Sequence, residues 1–215
     1  MIYTVGHSTM SQELFLGLTK DLDVLMDVRS HPTSKWPQFR MENMSSYLGN
    51  RYKWEPRLGG WDKQHINLVD DFSKYHVDIL AYTKGKFPKQ RIDPKIKEGI
   101  EEDRPHWYNQ GLWDYQFFMT LPEFIDGADE LIERSKSINI GICCCECLWW
   151  CCHRSMISDY LFYKGVEAVH LQPKTTLHSK VISNRIERYH PDVLSIWGKP
   201  NYIKNEQPEQ QLIFK

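Results

Sequence analysis

Residues 2–29 read IYTVGHSTMSQELFLGLTKDLDVLMDVR, and the fold class is decided within that stretch. Ile2, Tyr3, Thr4 and Val5 form a β-prone run closed by Gly6, His7 and Ser8. Thr9 and Gln12 have the spacing of a capping box, opening a helix whose apolar positions are Leu14, Phe15, Leu18 and Leu22. Val24, Leu25 and Met26 make a second run that ends at Asp27, Val28 and Arg29. Strand, helix and strand in this order form a βαβ unit, which requires a parallel pair with a right-handed crossover.

Working outward, the loop from Ser30 to Arg40 is rich in Pro, Ser and aromatics and reads as a rim. A short helix over residues 42–50, a strand near Tyr52 to Glu55 and a turn at Gly59 and Gly60 follow. Thr120 to Glu123 have a capping-box pattern with Pro122 inside the first turn, ahead of an apolar helical face at Phe124, Ile125, Ala128, Leu131 and Ile132. The run from Ile138 to Cys143 is dense enough in apolar residues for a strand covered on both faces. Met156, Ile157, Tyr160 and Leu161 mark a further helix, ended by Gly165, and Val166 to Leu171 a further strand. Ser179 is placed to cap a last helix carrying Val181, Ile182, Ile186 and Tyr189 and stopped by Pro191. The expected architecture is α/β: a three-layer fold with a mainly parallel central sheet and helices on both faces. It forms a single domain over residues 1–195, with 61–113 an irregular or helical insertion over the sheet and 196–215 a C-terminal tail.

Composition bounds the function. At 215 residues, 41% apolar and 26% charged, the chain has enough material for one hydrophobic core and too much for a disordered segment. No apolar run reaches the roughly 18 residues of a spanning helix, and the opening MIYTVGHS lacks a secretory pattern. The expectation is a cytoplasmic protein with no membrane partner. A net charge of -1 leaves no global basic surplus for wrapping nucleic acid. One local basic segment, 84–97, offers Lys84, Lys86, Lys89 and Arg91 as nucleic-acid contacts, against the plainer reading of a solvated charge run. All six cysteines fall between Cys143 and Cys152, too crowded for a disulfide scaffold and consistent with reduced thiols.

Three loops follow three expected strands: Gly6-His7-Ser8, Asp27-Val28-Arg29, and the segment from Cys144 to Arg154. In a parallel sheet they emerge at one carboxyl edge, where open α/β folds bind ligands. Those same residues carry a resemblance. The chain resembles the domain-of-unknown-function family numbered 488 in Tyr3 to Ser8, in Asp27, Val28, Arg29, Pro32 and Ser34, and in the turn Leu58-Gly59-Gly60. It matches again in Cys144, Glu146, Cys152, His153 and Arg154, spaced as Cys, one residue, Glu, five residues, Cys-His-Arg. The interior of that last motif departs from the family, carrying Cys147, Leu148, Trp149, Trp150 and Cys151. The resemblance implies an α/β core and an intracellular microbial or viral protein, and no assigned activity.

The chemistry of the residue types gives the functional expectation. Arg29 and Arg154 present planar donor forks suited to phosphate, and the free N–H groups of a helix start beside Arg154 add to an anion site. The opposing reading pairs Arg154 with Glu146 or Asp27. His7, Asp27, Glu146 and Cys152 are the catalytic candidates: an imidazole and carboxylates for proton transfer, and a thiol near a helix start and an arginine. Ser8, Arg29, Ser34, Gly59, Gly60, Trp149, Trp150, His153 and Arg154 are the substrate-binding candidates. A Cys-x5-Arg phosphate cradle ending at Arg154 is absent, because Leu148 stands where its cysteine belongs. No cofactor and no metal are expected; Cys144, Cys147 and Cys151 form the alternative ligand set, set against inert core cysteines. The expectation is an enzyme acting on a phosphate-bearing, nucleotide-like or nucleic-acid-like substrate, with arginines on the anion and His and Glu as acid–base groups. A non-catalytic nucleic-acid or nucleotide binding module and a protein-interaction domain are the alternatives.

Overall fold

The computed structural model describes residues 1–60, 110–172 and 174–201. The basic segment 84–97, most of the insertion expected over 61–113, and residues 202–215 of the expected tail lie outside the described residues. Six strands make one sheet: β1 (Ile2–Gly6), β2 (Val24–Asp27), β3 (Tyr52–Trp54), β4 (Ile140–Cys144), β5 (Ala168–His170) and β6 (Thr176–Leu177), in the order β3-β2-β4-β1-β5-β6. Every pairing is parallel except that of β5 with β6. The described α-helices are α1 (Gln12–Leu18), α2 (Met41–Leu48), α3 (Gln110–Phe118), α4 (Pro122–Ser135), α5 (Arg154–Tyr163) and α6 (Pro191–Trp197). The protein therefore has an α/β fold with a mainly parallel sheet.

The strands of the βαβ unit are parallel but not neighbours, because β4 lies between them, bonded to β1 on one side and β2 on the other. β4 takes that central place because all five of its residues are buried, which only a strand with both neighbours and both faces covered can sustain. Alternation along the strands divides the apolar side chains between two faces. Ile2, Met26, Ile140 and Ile142 join a cluster with Phe124 and Leu131 of α4 and Met156, Ile157 and Tyr160 of α5. Val5, Leu25 and Cys143 join a second cluster with Phe15 of α1 and Met44 and Leu48 of α2.

Local signals were displaced at three helix starts. Ser11 rather than Thr9 caps α1, its hydroxyl accepting from Leu14 N–H at 3.2 Å, and Leu14 itself is exposed. At α4, Pro122 sits at the first position as expected, but Thr120 turns its hydroxyl to the Phe117 carbonyl and no capping box forms. The last helix expected, over 179–190, is replaced by two 3-10 segments, His178–Lys180 and Ser183–Arg188. Pro191 begins α6 instead of stopping a helix, as its fixed φ and missing N–H permit. The start of the expected tail is anchored: Trp197 is buried, and Asn201 N–H donates to the Tyr163 carbonyl at 2.8 Å. Among the described residues, no helix is long and apolar enough to cross a membrane.

Candidate functional site

β1 and β4 are adjacent, yet the chain leaves them toward opposite faces of the sheet. After β1 it enters α1, in the Phe15 cluster; after β4 it enters α5, in the Tyr160 cluster. Connections that diverge this way open a crevice at the carboxyl ends of the strands, the usual ligand position in open α/β sheets. The three loops expected to share one mouth do so. His7 N–H donates to the Cys144 carbonyl at 3.0 Å, Ser8 N–H to Cys145 at 2.8 Å, and Val28 N–H to Cys143 at 3.0 Å. Ser8 is held at φ 42°, a left-handed conformation uncommon outside glycine.

On the β2 side of this mouth the groups satisfy one another. Asp27, fully buried, accepts from Arg29 Nε at 2.7 Å, from Arg29 Nη2, from the Arg29 backbone N–H at 3.2 Å and from the Tyr52 hydroxyl at 2.7 Å. Arg29 Nη1 donates to the Phe39 carbonyl at 2.9 Å, to Thr33 at 3.3 Å and to His7 Nε2 at 3.2 Å. Since Nε2 of His7 must accept, its proton is on Nδ1, which donates to the Ser8 carbonyl at 3.2 Å. Burial, then the Arg29 charge, push the His7 imidazole down to about 4. The ring stacks on Phe39, 4.2 Å between centroids. Neither ring nitrogen of His7 is left over for proton transfer, and Arg29 is spent on Asp27 and backbone carbonyls rather than on an external anion. The two-arginine cradle expected from the sequence is not built.

The β4 side is different. Cys144 ends β4; Cys152 and His153 lead into α5, with His153 as its N-cap and Arg154 its first residue. His153 Nδ1 lies 3.7 Å from Cys152 Sγ and 3.9 Å from Cys144 Sγ, and its Nε2–H donates to the Val28 carbonyl at 2.9 Å. Arg154 Nε donates to Cys152 Sγ at 3.4 Å, and its Nη2 to the Glu146 carbonyl. Burial alone would push the Cys152 thiol up; Cys144, His153 and Arg154 together hold it well below the usual thiol range. The Cys144 thiol is pushed well above it, by the hydrogen bonds it shares as donor with Cys145 and Cys152 and by burial. His153 is raised against the opposing effect of burial, chiefly by the Cys152 charge. Gly6 makes this packing feasible, because a Cβ there would stand 1.7 Å from the Glu146 carbonyl oxygen and 2.6 Å from Arg154 Nη2.

The family model of the domain of unknown function DUF488 matches residues 15–86. The match supports the DUF488 family. Within the described residues it spans the part of α1 from Phe15, β2 with Asp27-Val28-Arg29, α2, β3 and the Gly59–Gly60 turn; the Cys-His-Arg motif of the DUF488 resemblance lies beyond it. No curated protein and no solved structure matches the chain.

Other residues expected at the site have local explanations. Ser34 Oγ accepts from Trp36 N–H at 3.1 Å within its own loop. Gly59 gives space to the Arg29–Ser30 backbone, since a Cβ would meet Ser30 N and Cα at 2.6 Å, and Gly60 takes φ 99°. Trp149 is no free stacking platform, being buried and stacked on His170 at 3.8 Å with rings 3° from parallel. Half-buried Trp150 stands edge-on to it. Glu146 is exposed at the rim, its carboxylate meeting Cys145 Sγ at 3.9 Å and neither His7 nor Arg154. Cys147 and Cys151 stay outside the Cys144–Cys152–His153 cluster, so the alternative ligand set is not the one the fold assembles. Lys84, Lys86, Lys89 and Arg91 lie outside the described residues.

A buried polar network was not legible in the sequence. Asp159 accepts from His178 Nε2 at 2.8 Å, from Arg185 Nε and Nη2 at 2.9 Å and from the Tyr189 hydroxyl at 2.8 Å. His178 Nδ1 is 2.9 Å from His170 Nε2, and His170 Nδ1 is 2.8 Å from Thr4 Oγ1. Burial would raise Asp159, but Arg185 and His178 pull it down to about 2, while burial drives His170 down to about 2. The only local hint is an acidic residue between Ser158 and Tyr160 in a helix that is otherwise buried along nearly its whole length.

Proposed function

We propose that the protein is an enzyme acting on a phosphate-bearing or nucleotide-like substrate at the mouth between β1 and β4. One observation carries this reading. Arg154 is 1% exposed, and no carboxylate pairs with it among the described residues, whereas Arg29, Arg57 and Arg185 each have an Asp or Glu. A buried guanidinium is costly unless negative charge faces it. Cys152 sulfur supplies part of that charge, and an anionic substrate group beside Arg154 and the start of α5, a ten-residue helix, would supply the rest. Exposed Glu146, whose carbonyl is tied to Arg154, is the acid–base group on the rim.

The test is a thermal-shift screen of the full chain against inorganic phosphate, nucleoside mono-, di- and triphosphates and short oligonucleotides, followed by turnover assays on any binder. A ligand at 100 times its dissociation constant stabilises by about 2.7 kcal/mol. Glu146→Gln should keep the shift and lose turnover, and Arg154→Met should lose the shift. A midpoint unmoved by every anion contradicts the proposal. Binding without turnover, indifferent to Glu146→Gln, would make the protein a binding module instead.

A further inference from the structure

We propose that Cys144, Cys152 and His153 form a metal site that binds one zinc-type ion through the two sulfurs and Nδ1 of the imidazole. The three donor atoms lie within 4.8 Å of one another, with Nδ1–Sγ separations of 3.7 and 3.9 Å. A tetrahedral zinc ion, with Zn–S of about 2.3 Å and Zn–N of about 2.0 Å, sets a nitrogen and a sulfur ligand about 3.5 Å apart and two sulfurs about 3.8 Å apart. The observed nitrogen–sulfur separations exceed this by only about 0.2–0.4 Å, so a small side-chain adjustment brings all three donors onto one ion.

The surroundings agree with the ligand set. The Nε2–H of His153 is anchored on the Val28 carbonyl, which turns the Nδ1 lone pair toward the sulfurs. Ligating imidazoles regularly have their second nitrogen held in this way, which fixes tautomer and ring direction. Arg154 Nε, donating to Cys152 Sγ, supports a sulfur that carries negative charge. The donors come from the end of β4 and the start of α5, two elements fixed by sheet register and core packing, so the site is assembled by the fold itself. Among the described residues no fourth side chain joins the cluster; Cys145 Sγ, 3.9 Å from Cys144 Sγ, stands outside it. Two thiolates and an imidazole with a fourth position left to water or substrate is the pattern of a catalytic rather than a structural zinc site. Soft sulfur donors also suit copper(I), a competing occupant that the experiment separates.

The experiment is titration of the reduced full-length protein with cobalt(II), anaerobically, using a phosphine reductant. The proposal predicts one equivalent bound, with sulfur-to-cobalt charge-transfer absorption and the intense visible bands of a tetrahedral ion, both bleached by one equivalent of zinc. Cys144→Ser, Cys152→Ser and His153→Gln should each weaken cobalt binding at least tenfold, and Cys147→Ser and Cys151→Ser should leave it unchanged. Alkylation mapped by mass spectrometry on the unmutated protein guards against variants that fail to fold: zinc should protect Cys144 and Cys152 and leave Cys145 reactive. No tetrahedral cobalt spectrum, or zinc protection centred on Cys147 and Cys151, overturns the proposal. Preference for copper(I), with zinc and cobalt unbound at equimolar protein, overturns its zinc-type assignment.

Discussion

Replacing Asp27 with asparagine tests the β2 side of the mouth, because it keeps the shape and removes the charge. Asp27 is fully buried and Arg29 is 5% exposed, so the guanidinium would lose its counter-charge with little water to replace it. The variant also sets an amide N–H₂ against donors: Arg29 Nε, Arg29 Nη2 and the Tyr52 hydroxyl all now give protons to the carboxylate. Removing one partner of a buried pair typically costs about 3–5 kcal/mol. In a chain of this size that corresponds to a midpoint roughly 6–20 °C lower. Tyr52→Phe, which deletes a single hydrogen bond to a charged acceptor, should cost about 1.5–3 kcal/mol. Urea unfolding followed by circular dichroism gives both numbers, with an unchanged m-value confirming that the unfolding reaction is the same. Arg29→Met added to Asp27→Asn should recover part of the loss, since the stranded charge is then gone. A loss below about 1 kcal/mol for Asp27→Asn would refute the assignment of Arg29 as an internal partner and return it to the substrate.

Two further outcomes follow from the same packing. The stability contributed by keeping His7 and His170 neutral should fall as pH drops below about 6.5, because the unfolded state protonates them there while the folded rings stay neutral down to about 4 and about 2; His153, raised beside Cys152, contributes in the opposite sense. Each histidine withdraws roughly 1.4 kcal/mol per pH unit over that window, about 4 kcal/mol for the two by pH 5; Asp159, held at about 2, adds a loss of the same sign below about pH 4. The change in urea midpoint between pH 7.5 and 5 should become less destabilising in His7→Gln and in His170→Gln; a change identical to the unmutated protein's in both variants would contradict this. Gly6→Ala should destabilise by roughly 1–3 kcal/mol, since its Cβ collides with the Glu146 carbonyl, while Gly17→Ala, with open space around it, should be neutral or mildly stabilising. Equal effects of the two substitutions in urea unfolding would contradict the close approach of the β4 loop to Gly6.

What the sequence made legible was the part encoded locally. Runs such as Ile2 to Val5 and Ile138 to Cys143 announce strands through side-chain type, and the parallel order of strand, helix and strand places their following loops at one edge. Which strands pair is a non-local choice. Nothing near Val5 or Met26 says that a strand more than a hundred residues later will come between them. Pro191 shows the ambiguity of a local signal, since proline serves equally at the stop of one helix and the first turn of another. The cysteine motif displayed its members but not its partners: Cys144 meets Cys152 and His153 across a turn, while Cys147 and Cys151, equally plausible by spacing, do not join them. His170 and His178 look unrelated in sequence and become one hydrogen-bonded line only when β5 and the segment after β6 pack on Asp159 of α5.

The link on which the account turns is the imidazole of His153, spanning the end of β2 and the two sulfurs. Long-range proton–nitrogen spectra of protein labelled with ¹⁵N-histidine, with His153 assigned by its loss in His153→Gln, read that link directly. The account predicts a protonated, hydrogen-bonded Nε2 on His153 with or without zinc, and an Nδ1 resonance that moves when zinc is added. A bare Nε2 with the proton on Nδ1 would contradict it.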